Sequence, residues 1–159
     1  LMIGGRVGTS DPTNVGYASE VERLIAELGV GERVAWTGYV PTVQVSAALL
    51  GADIAVLPYR DGISFRRGSL HAALAHGCAI VSTAPRVRIS ELIDGQNVLL
   101  VPPDAPQAVC DAALRLERDE ALRQQISHGA RELAATFRWD HIARRTVDQV
   151  FRPLVHSLA

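Results

Sequence analysis

The stretch Asp53-Ile54-Ala55-Val56-Leu57-Pro58-Tyr59-Arg60-Asp61-Gly62-Ile63-Ser64-Phe65-Arg66-Arg67-Gly68-Ser69-Leu70-His71-Ala72-Ala73-Leu74-Ala75-His76-Gly77-Cys78-Ala79-Ile80-Val81-Ser82 reads as strand, loop, helix, strand. Residues 53–57 are almost continuously apolar, as in a strand buried on both faces. Pro58 cannot donate into a ladder and ends it. Residues 59–67 are dense in charge and glycine, and 68–76 form a helix of small residues that Gly77 caps. Residues 78–82 are a second apolar strand.

The same alternation extends outward. Upstream, 1–5 reads as a strand running into a glycine turn, 6–14 as a polar loop, and 16–28 as a helix with Val21, Leu24, Ile25 and Leu28 on one face. Residues 33–37 read as a strand, and Pro41 suits the first turn of a helix through 50. Downstream, 87–93 is expected to be a short helix and 97–101 a fifth strand. Asp104 and Gln107 resemble a capping box with Pro106 in the first turn. Helices follow with apolar faces Val109, Ala112, Ala113 and Leu116, then over 120–135, then from about Trp139. Short apolar strands alternating with helices predict α/β architecture, a doubly wound, Rossmann-like parallel sheet. No repeat, low-complexity run or linker divides the chain, so one domain over 1–159 is expected.

Composition narrows the function. Of 159 residues, 48% are hydrophobic, enough for a core. A net charge of −1 does not suggest a nucleic-acid partner. Cys78 and Cys110 form no metal pattern and no expected disulfide; they read as two buried thiols in a cytoplasmic protein. No apolar run is long enough for a transmembrane segment, and no signal peptide opens the chain. A start at Leu1 predicts that the chain begins inside a longer polypeptide.

In such sheets ligands bind beyond the carboxyl ends of the strands. The loop after 53–57 is the richest of these ends. It leads into a helix N-terminus, whose free N–H groups and dipole favour anions. Gly68 permits close approach, Ser69 adds a hydroxyl, and Arg66 and Arg67 bring charge that can grip phosphate. A solvated loop, its arginines paired with Asp61 and Glu91, accounts for the same residues about as well. Asp61-Gly62 reads either as a ligand carboxylate beside a permissive glycine or as a turn. His71 lies one turn beyond the anion site and reads as a packed or surface histidine. No cluster calls for a metal or a cofactor. Nucleophile-elbow, Walker and dinucleotide signatures are absent.

The order of motifs resembles the C-terminal domain of retaining GT-B glycosyltransferases, the family 4 or group 1 enzymes. The matching pieces are Leu1-Met2-Ile3-Gly4-Gly5, Arg33-Val34-Ala35-Trp36-Thr37-Gly38-Tyr39-Val40, Ala52-Asp53-Ile54-Ala55-Val56-Leu57-Pro58, Ala73-Leu74-Ala75-His76-Gly77, Ile80-Val81-Ser82-Thr83, Glu91-Leu92-Ile93-Asp94-Gly95-Gln96-Asn97 and Leu99-Leu100-Val101-Pro102-Pro103. The resemblance implies sugar transfer from a nucleotide-diphospho-sugar donor to an unknown acceptor, with retention. It places Tyr39 and Val40 by the base, Asp61, Gly62, Ile63 and Ser64 by the donor sugar, and Gly68-Ser69 on the diphosphate. Glu91 matches a family glutamate, and Gly5 is counted with the donor residues. Asp61 and Arg67 would act at the reacting phosphosugar, with Arg66 beside them.

Departures from the family pattern are informative. Its second glutamate falls on Ala72, and its basic phosphate pair lies upstream of Leu1, so Arg66 and Arg67 would substitute. Ala72 leaves open a degenerate, non-catalytic binding module. The chain has no lysine, which argues against a phosphorylase with a lysine-held cofactor. By the resemblance the sheet lacks its first strand, the acceptor half is missing, and the fragment alone would be inactive. Exposed strand edges would favour a homodimer.

Overall fold

The computed structural model describes residues 1–2 and 12–153. The expected strand at 1–5 and its Gly5 therefore lie largely outside the described residues. The chain packs as two compact units, Leu1–Ala48 and Leu49–Ala159.

In the first unit, α1 spans Pro12–Glu27. Val21 and Ile25 of its predicted face are half-buried, whereas Leu24 and Leu28 are exposed. The expected strand over 33–37 does not form as one. Gly31–Arg33 closes a single 3-10 turn, and among the described residues Trp36 bridges Met2, in parallel. Met2 N donates to Ala35 O at 2.7 Å and Thr37 N to Met2 O at 3.0 Å. Ala35 and Trp36 are exposed, so this backbone lacks the two-sided cover that a buried strand requires. Helix α2 (Thr42–Leu50) follows Pro41, as its sequence predicts.

The second unit is built on a parallel sheet of three strands, β1 (Ile54–Leu57), β2 (Ala79–Thr83) and β3 (Leu99–Val101), in that order. Helix α3 (Gly68–Ala75) links β1 to β2. Helices α4 (Pro106–Arg118), α5 (Glu120–Ala135) and α6 (Trp139–Thr146) follow. All five residues of β2 are buried, and alternate side chains enter two cores. Ile80 joins Leu70, Ala73 and Leu74 of α3 and Ala130 and Leu133 of α5. Ala79 and Val81 join Leu99 and Val101 of β3, Leu116 of α4 and Ile126 of α5. Helix α5 serves both cores, which explains the unalternating apolar strands: each face of β2 has its own cover.

Two local expectations fail for identifiable reasons. Residues 87–93 are turns, because Ile93 N donates to the Asn97 side chain at 2.9 Å instead of to a helical carbonyl. The capping box does not form. Asp104 adopts a positive φ of 53° and pairs with Arg60, Gln107 donates to Asp111, and Ala105 is the N-cap. Beyond α6 the backbone widens into a π-turn over Val147–Phe151. No helix among the described residues is long and apolar enough to cross a membrane.

Candidate functional site

The carboxyl end of β1 opens into the loop that the sequence singles out, and Tyr59 organises it. Its carbonyl accepts from Gly62 N at 3.1 Å and from the Thr83 hydroxyl at 2.5 Å. One residue earlier in the ladder, the Ser82 hydroxyl donates to Leu57 O at 2.6 Å. Ile63 N donates to Thr83 O at 3.0 Å, and the Ile63 side chain is buried in the core. The loop is thus fastened to the end of β2 at several points.

On this frame stand the polar groups. The Tyr59 hydroxyl lies 2.6 Å from Ser69 Oγ, at the start of α3. The Arg67 guanidinium sits 4.7 Å above the Tyr59 ring and donates from Nη2 to Asp61 Oδ1. Arg67 is also the N-cap residue of α3, with extended backbone and no side-chain cap. Leu70 N bonds the Arg67 carbonyl, which leaves the Gly68 and Ser69 N–H groups, among the described residues, as the orphan donors of α3, beside an arginine and a hydroxyl. Arg66 is exposed.

Of the residues expected in the site, Asp61, Gly62, Ile63, Ser64, Arg67, Gly68 and Ser69 lie in this one loop and helix start. The Arg67–Asp61 pair also fulfils half of the solvated-loop alternative. Among the described residues Glu91 makes no such pair. Its carboxylate accepts from the Ser90 hydroxyl at 2.9 Å. That bond, then its own backbone N–H, hold the Glu91 carboxyl below the usual carboxylate range, and the charge of Arg145 acts in the same direction. Asn97 fixes the Glu91 segment, donating to Glu91 O at 2.8 Å. Tyr39 and Val40 belong to the first unit, where Tyr39 is 98% exposed. Gly5 lies outside the described residues.

His71 is a packing residue. Its Nε2 lies 2.7 Å from Phe65 O, and its ring meets Phe137 edge-on at 4.8 Å. His76 bonds the Ala72 carbonyl. Cys78 is buried as expected, but Cys110 is exposed on α4. Sequence reasoning missed Tyr59, Thr83 and Asn97. Only the placement of Thr83 at the carboxyl end of a strand could have pointed to one of them.

Residues 5–119 match the family model described as "Glycosyl transferases group 1". The chain is 29% identical over 150 residues to a D-inositol 3-phosphate glycosyltransferase of Nocardioides sp., covering 89% of this chain and 32% of the relative. The chain thus spans about a third of that relative's length. Among solved structures, the C-terminal domain of the group 1 glycosyl transferase LpcC from Francisella tularensis superposes with a TM-score of 0.67 at 23% identity, over 80% of this chain and 65% of that one. Anabaena HepE in complex with UDP-glucose superposes with a TM-score of 0.73 at 18% identity, over 98% of this chain and 40% of that one. The α/β fold is that of a GT-B C-terminal domain, and the chain belongs to the group 1 glycosyl transferases.

Proposed function

We propose that this chain is the donor-binding domain of a retaining glycosyltransferase. In this reading the β1–α3 loop holds the diphosphate and sugar of a nucleotide-diphospho-sugar. The observation that carries it is the convergence of Arg67, Ser69 and the α3 N-terminus on one spot at a strand's carboxyl end, with Asp61 beside them. Free N–H groups at a helix start and a guanidinium are matched to a diphosphate. The HepE complex, which holds UDP-glucose, supports a UDP-sugar as the first donor to try.

The chemical contribution would be electrostatic. As the glycosidic bond to phosphate breaks, negative charge grows on the leaving diphosphate. Arg67 and the α3 N–H groups are fixed before the reaction and stabilise that charge without reorganising. Asp61 would orient sugar hydroxyls. Transfer to an acceptor is assigned to the longer protein, since the relatives are about three times this length.

Calorimetric titration with UDP-, GDP- and ADP-sugars tests the reading, beside an Arg67→Ala variant. One nucleotide class should bind, and the variant should weaken it by roughly 10-fold, as for loss of a charge-assisted hydrogen bond. A folded chain that binds none of them is instead a non-catalytic module, the reading that Ala72 in place of a glutamate favours.

A further inference from the structure

We infer that Asp61 acts as a stand-in anion for Arg67, and that donor binding exchanges it for the diphosphate, making the site discriminate between a sugar nucleotide and the free nucleotide. The inference rests on the donor-site reading above.

Three observations lead to it. First, the two residues with the most distinct expected tasks, Arg67 for phosphate and Asp61 for sugar, are hydrogen-bonded to each other. That bond takes one of the five guanidinium N–H groups and one acceptor position of the carboxylate, so a diphosphate brought to Arg67 competes with Asp61 for it. Second, the pair is only partly buried, with side-chain exposures of 36% for Arg67 and 50% for Asp61. An exposed ion pair is weak enough for a dianionic ligand to displace. Third, Arg67 has a second support that occupies none of its N–H groups. The Tyr59 ring lies beneath the guanidinium at 4.7 Å, and its hydroxyl is tied to Ser69 Oγ. The cation therefore stays in place when its carboxylate partner changes.

The consequence is a difference between ligands. A nucleoside diphosphate takes Arg67 but leaves Asp61 unpaired, next to added negative charge. A nucleotide-sugar takes Arg67 and also supplies hydroxyls that donate to Asp61. The Asp61–Arg67 bond thus penalises the free nucleotide more than the donor, and favours release of the nucleotide after transfer.

The test is a double-mutant cycle on the whole 159-residue chain, titrated with UDP and with UDP-glucose. Asp61→Asn should tighten UDP about two- to fivefold, the range of a lost exposed ion pair, and should weaken UDP-glucose, narrowing the preference for the donor. In an Arg67→Ala background the same Asp61→Asn change should tighten UDP distinctly less. If Asp61→Asn weakens UDP, Asp61 supports Arg67 instead of competing for it, and the inference falls while the donor site stands. If Asp61→Asn tightens UDP equally without Arg67, the effect is general charge repulsion and the exchange is again refuted. If Arg67→Ala leaves UDP unaffected, or wild type binds neither ligand, the donor-site reading fails and takes the inference with it.

Discussion

At Gly62 φ is +84°, and a Cβ there would lie 2.4 Å from the Ala84 carbonyl oxygen. Backbone strain and a backbone clash therefore coincide. Gly62→Ala should cost about 2–3 kcal/mol in urea unfolding, more than an ordinary glycine-to-alanine change. Tyr59 can be divided by two substitutions. Tyr59→Phe keeps the ring under Arg67 and should leave UDP affinity nearly unchanged. Tyr59→Leu removes that cation–π support and should weaken UDP about two- to fivefold, read by calorimetry. Asp61, Arg67, Gly68 and Ser69 were legible in the sequence because they are neighbours in one short loop. Tyr59 and Thr83 were not, because what they do depends on a bond between residues 24 positions apart. The chemistry of a tyrosine carbonyl leaves no trace in the residue's identity.

Helix α5 was predicted to the residue, and its packing rests on a detail no periodicity shows. A Cβ at Gly129 would lie 2.4 Å from Gln96 O, so the helix sits directly on the turn before β3. Alanine has a helix-propensity advantage over glycine of about 1 kcal/mol. The clash is with backbone and should outweigh it, making Gly129→Ala net destabilising in thermal melts. On the same turn Asn97 accepts from Ile93 N and donates to Glu91 O, with its side chain buried. These bonds are why 87–93, helical by pattern, are turns: the amide side chain captures a backbone donor that a helix would need. Ser90→Ala should let the Glu91 carboxyl rise toward the usual carboxylate range. The sign is that of a depressed acid: the Ser90–Glu91 bond contributes above the unfolded pKa and is lost as pH falls through the lowered one. A carboxyl-carbon NMR titration of both proteins checks it.

Across the whole molecule, burial is concentrated in β2 and the helices that cover it. Hydrogen exchange should be slowest in the amides of Ala79–Thr83 and fastest in exposed elements such as α6, where Trp139 is 84% exposed. The thiols report the same contrast. Burial pushes the Cys78 thiol up and its Sγ donates to Leu49 O, whereas Cys110 is exposed. An aromatic disulfide reagent at neutral pH should label Cys110 at once and Cys78 only on unfolding. The α/β class, the β1–α3–β2 unit and most helices were legible from apolar runs and glycine stops. The sheet's extent was not. Of the five runs read as strands, 53–57, 78–82 and 97–101 pair into a sheet and 1–5 lies largely outside the described residues; a run becomes a strand only where a neighbour supplies backbone partners, and among the described residues 33–37 are bridged through Trp36 to Met2.

Pro58 interrupts the main-chain ladder at the point where the β1–α3 loop departs, and the hydroxyls of Ser82 and Thr83 carry the bonding onward to Leu57 and Tyr59. The loop's seat therefore rests in part on two oxygen atoms on side chains, beside the main-chain bond from Ile63 N to Thr83 O. Peptide groups are the same in every sequence, but side-chain oxygens can be gained, lost or moved by single substitutions. A lineage could re-aim this loop by exchanging serine, threonine, alanine or valine at these two positions, leaving the scaffold's inheritance intact.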